Sequence, residues 1–140
     1  MPARPNAIKS IRVETFLPED LDGLMASRGD VRSGIYFVDS KPPRPAMANI
    51  TDGYVKAPTD WPDDVIDVDY CGAGFMLIDR DVLEAIGPQP YRQDHTAPNN
   101  DLLGEDYAFC QRARENGFSL TVNTKVFLGH IKPRVLGATL

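Results

Sequence analysis

The chain has 140 residues, a formal net charge of −5, 42% hydrophobic residues and 25% charged residues. That length suits a single domain, 1–140, able to bury a core without covalent staples, and the composition excludes wholesale disorder. The acidic balance argues against a general nucleic-acid or anionic-membrane binder.

No apolar run approaches the roughly 20 residues that a spanning helix needs, and MPARPNAIKSIRVE lacks the apolar centre of a signal peptide. No membrane span is expected, and the cytoplasm is the expected location. Cys71 and Cys110 are the only cysteines, far apart and each in an apolar setting. They read as two buried thiols of a reducing compartment rather than as a zinc cluster or disulfide framework.

In chain order, Met1 to Ser10 is a loose lead-in, and Ile11 to Phe16 alternates well enough for a short strand. A helix is predicted from Pro18, with Leu21, Leu24 and Met25 on its apolar face and Gly29 as its stop. Val31 to Val38 is aromatic and β-branched, as a buried strand is. The following KPPRP reads as an exposed turn that cannot pair in a sheet. Ala46 to Asp64 suggests a small hairpin or an ordered loop. Val65 to Asp79 reads as strand, tight glycine turn, strand, and Arg80 to Ile86 as a short helix closed by Gly87. The polar run Gln89 to Asp101 is the most mobile-looking loop, and its His95 is expected to face solvent. Helices and strands alternate, so the predicted fold class is α/β, a mixed sheet with flanking helices.

The stretch Gly104 to His130 organises the rest: an amphipathic helix opened by Glu105 and Asp106 and stopped at Gly117, then two short strands, the second ending on His130. Carboxylates suit the positive end of the helix dipole, and Arg112 and Arg114 suit its last turns. On this reading alone, the two acids are helix caps.

Together with DYCGAGFMLIDRDVL at Asp69 to Leu83, this stretch resembles the C-terminal, acceptor-side half of family-two-like glycosyltransferases with the GT-A fold. The resemblance implies hexose transfer from a nucleotide-diphosphate sugar to a hydroxyl acceptor, with Mn2+ or Mg2+ as cofactor. It makes Asp106 the base that takes the acceptor proton and Glu105 an acceptor-hydroxyl binder. It makes His130 and Glu14 metal ligands, although the Asp-x-Asp of such enzymes is replaced here by Val13, Glu14 and Thr15. Gly72, Ala73 and Gly74 would form a wall against the donor, with Tyr36 and Trp61 also binding substrate. A loop Trp can stack on a sugar ring or simply close a core edge. The glycine turn can equally be a β-bulge, and His130 a structural residue.

Most of the nucleotide-binding half of such an enzyme has no counterpart here, which implies a partner chain supplying it and an oligomeric protein. Three readings stand: a truncated or split transferase, a non-catalytic carbohydrate- or protein-binding module, and a structural remnant.

Overall fold

The computed structural model describes residues 13–38, 41–96 and 103–131. The predicted lead-in, and residues 97–101 of the predicted loop, lie outside the described residues.

A four-stranded mixed sheet forms the centre. Its middle strands are β2 (Val31–Ile35) and β10 (Leu120–Phe127), which pair in parallel, Leu120 opposite Val31. On either side, β7 (Val65–Asp67) pairs antiparallel with β10, and β9 (Met76–Ile78) with β2. The expected mixed α/β architecture is therefore present.

Three smaller pairings surround it. The first joins β1 (Val13–Thr15) to β11 (Gly129–Ile131) and the second joins β3 (Phe37–Val38) to β4 (Arg44–Pro45). The third sets β5 (Met47–Thr51) between β6 (Tyr54–Lys56) and β8 (Tyr70–Cys71). The β5–β6 hairpin turns on Asp52 and Gly53, both at positive φ, as a two-residue Asp-Gly hairpin demands.

The irregular course of β10 explains how one strand serves two cores. Its register with β2 is broken between Asn123 and Phe127. Leu120 and Val122 pack with Val31, Phe109 and Tyr70 in the larger core, whereas Val126 and Leu128 pack with Leu24 and Tyr36 in the smaller one. A Cβ on Gly34 would lie 2.7 Å from Val126, so the strand break requires glycine there.

Helix α1 (Pro18–Ala26) packs on β10 and β2. Its first turn is closed by Asp20, whose carboxylate accepts the Leu17 N–H at 2.7 Å. Its last carbonyls, on Leu24 and Met25, accept from Arg32, which also pairs with Asp79. The predicted apolar face is only partly used: Leu24 is buried, but Leu21 and Met25 are exposed and, with Leu17, form an outward stripe. Helix α2 (Arg80–Ile86) contacts α3 (Glu105–Glu115), which packs on β8.

Three local expectations are corrected. Arg44 and Pro45 of KPPRP do pair, with Val38 and Phe37, because a two-residue edge ladder does not need the missing proline N–H. The single strand expected before the glycine turn is two strands, β7 and β8, in different sheets. The strand after α3 is not short but eight residues long. Arg112 and Arg114 do stand in the last turn of α3, and Arg112 is buried there.

Candidate functional site

Gly104 caps α3, so the first turn of the helix delivers Asp106 and Tyr107 to a cleft of about 390 Å³. Its other walls come from Tyr36, from Arg44 to Ala46, from the β5–β6 hairpin and from Gly72. Asp106 is half-buried, and it is the one carboxylate lining this cleft among the described residues. Glu105 is exposed and does not line it, as the roughly 100° between adjacent helical side chains predicts.

The electrostatics of Asp106 differ from those of a plain helix cap. Burial pushes its carboxyl above the ordinary carboxylate value, and the neighbouring charge of Glu105 pushes the same way. Backbone N–H donors from Tyr107 and Ala73 work against this, the former reaching Oδ1 at 2.9 Å. Loss of water outweighs these backbone donors, so the net shift is upward. Burial likewise pushes the Tyr107 hydroxyl well above its ordinary range, so it stays protonated, while its ring stacks on Tyr70 with centroids 4.9 Å apart.

The glycine turn is held close by Tyr36. The Tyr36 hydroxyl accepts the Gly74 N–H at 3.1 Å, and a Cβ on Gly72 would fall 2.0 Å from that oxygen. Tyr36, Gly72 and Asp106 therefore meet in one cleft, with Ala73 donating its N–H to Asp106. Trp61 does not line this cleft but an adjoining one.

Glu14 and His130 are Cα partners in the β1–β11 ladder. Among the described residues no group of three or more His, Cys, Asp or Glu gathers to hold a metal ion. One carboxylate and one imidazole fall short of the oxygen-rich shell that Mn2+ or Mg2+ takes. Cys71 and Cys110, distant in sequence, are neighbours in the core: the Cys110 thiol donates to the Cys71 carbonyl at 3.4 Å. Among the described residues no helix is long and apolar enough to cross a membrane.

No family model matches the chain, and no curated protein matches it. Among solved structures the chain is similar to A197 from STIV, at 17% sequence identity and a TM-score of 0.53. The likeness is one of fold. It covers 89% of this chain and 55% of A197, so the chain spans about half the length of that protein. The expected membership of the family-two-like glycosyltransferases is thereby overturned, since the structural likeness found is to A197 and no transferase family model matches. The motif pieces that carried the resemblance are a glycine turn and a capped helix, which recur wherever a strand must pass under a helix.

Arg44 and Tyr107 line the cleft but were not singled out in the sequence. Arg44 was hidden in a stretch read as a turn, and Tyr107 stands beside the more conspicuous acid pair. His95 also departs from expectation. Its ring nitrogens lie 2.7 Å from Asp94 and 3.1 Å from Glu115, and it is mostly buried.

Proposed function

We propose that the cleft binds a hydroxyl-bearing, carbohydrate-like ligand and that Asp106 accepts the proton of that hydroxyl as it attacks an activated hexose. The observation that carries this reading is a lone, half-buried carboxylate with raised proton affinity, fixed by backbone donors, facing a cleft. A sugar hydroxyl is a weak nucleophile, and a positioned base contributes about 10²–10⁴-fold. Raised proton affinity makes this carboxylate a stronger base than an ordinary aspartate. Tyr107, held protonated, and Arg44 supply further hydrogen-bonding groups on the walls, while Glu105 acts on Asp106 through its charge alone.

The donor is a nucleotide-diphosphate hexose whose nucleotide is held by a partner chain in an oligomer. No step is assigned to a metal, because among the described residues no group gathers to hold one. The second reading is carbohydrate binding without transfer.

Calorimetric titration with mono- and oligosaccharides, alongside a transfer assay with nucleotide-diphosphate hexoses, tests the proposal. Asp106→Asn is expected to lower turnover by at least about 10²-fold while leaving saccharide affinity within a few-fold. Unchanged turnover removes Asp106 as the base. Saccharide binding by the wild type without turnover selects the second reading, and a folded protein that binds no saccharide overturns both.

A further inference from the structure

Beside the Asp106 cleft, and sharing Arg44 with it, lies a larger cleft of about 720 Å³, well within the size range of small-ligand sites. Its composition runs against that of the chain. In a protein of net charge −5, three cations, Lys41, Arg44 and Lys56, line this cleft, and no described carboxylate does. Among the described residues none of the three forms an ion pair. Elsewhere in the fold the described arginines Arg28, Arg32, Arg80, Arg92, Arg112 and Arg114 are each matched to an acid.

The wall also carries two aromatic rings. Trp61 and Phe37 stand with centroids 6.4 Å apart and planes tilted by 47°, forming an apolar corner. Trp61 is braced from behind by the larger core. A planar body seated on an aromatic face, with an anionic end held by guanidinium and ammonium groups, matches both the aromatic and the cationic parts of this lining.

We infer that this second cleft binds an organic anion of the phosphate-monoester class, its phosphate on Lys41, Arg44 and Lys56 and its ring against Trp61 and Phe37. Trp61, which the sequence allows either as a platform for a sugar ring or as a ring closing a core edge, would then serve an anion site. The inference does not depend on transfer at Asp106.

Trp61 is the chain's only tryptophan, so its fluorescence reports occupancy directly. The full chain is titrated with phenyl phosphate, inorganic phosphate and phenol. Phenyl phosphate is expected to give a saturable change at concentrations at least about tenfold below either fragment, weakening as salt rises. Lys41→Gln and Lys56→Gln, both exposed positions outside the Asp106 cleft, should each weaken it about three- to tenfold. Trp61→Phe, followed by calorimetry, should weaken phenyl phosphate more than inorganic phosphate. Equal responses to phenol and phenyl phosphate, no saturable change, or affinity untouched by both lysine substitutions would overturn the inference.

Discussion

Gly72 shows how one residue sets the shape of the candidate site. The phenol of Tyr36 occupies the space where a side chain at 72 would begin, and the Ala46 methyl stands 3.1 Å from the same point. Tyr36 is itself buried, so it cannot swing into solvent to make room. Gly72→Ala is therefore expected to destabilise the fold by roughly 1–3 kcal/mol, the range for overpacking a filled interior, and to weaken saccharide binding as Tyr36 is displaced. Chemical denaturation checks the first effect; a midpoint equal to that of the wild type would show that Tyr36 yields freely. That a tight glycine turn sits here is legible in Cys71-Gly72-Ala73-Gly74. What approaches it is not, because Tyr36 lies 36 positions earlier and nothing in its neighbours announces the contact.

At the scale of elements, α3 does more than present Asp106. Arg112, near its other end, is buried and donates to the Pro90 carbonyl at 2.6 Å, to the Arg92 carbonyl and to Asp94. His95 then links Asp94 to Glu115, so the segment 90–95 is fastened along the helix. Replacing Arg112 with Met keeps much of the buried stem but leaves those carbonyls without their donor. The expected loss is roughly 1–3 kcal/mol, with faster proteolysis near residues 90–95 as the local readout. A normal melting temperature and unaltered cleavage would show that the segment holds by other contacts.

Helix positions were legible because their signals are local: Pro18, Gly87 and Gly117 punctuate helices, whereas Ala46 to Asp64 read only as a small hairpin or an ordered loop. The burial of Arg112 was not legible because its partners belong to another segment. The same limitation hid the division of β7 from β8, and a family resemblance built from such local pieces inherited it.

Across the whole molecule, two sets of carboxylates respond to pH with opposite sign. Burial disfavours the ionised form of Asp94, but hydrogen bonds from Arg92, His95 and Arg112 prevail and hold it far below its ordinary value. Glu115 is lowered through its bond with His95. Groups with depressed values stabilise the native state above the unfolded carboxylate range, and that contribution drains away as pH falls through their native values. Asp106 is the reverse. Its raised value means that the native state holds the proton more tightly than the unfolded chain, so its favourable contribution exists in acid and is lost as pH rises through the native value.

Asp106→Asn, which keeps an oxygen for the Tyr107 N–H, should therefore melt at a higher temperature than the wild type at pH 7. That advantage should vanish as pH falls below the ordinary aspartate value of 3.8. Asp94→Asn should do the opposite, melting lower than the wild type at pH 7 and converging with it only in stronger acid. Thermal denaturation of the three proteins between about pH 2 and pH 8 separates the two effects, since one difference curve closes from above and the other from below. If Asp106→Asn is no more stable at pH 7, its carboxylate is not strained by burial, and the argument for a poised base in the cleft loses its electrostatic support.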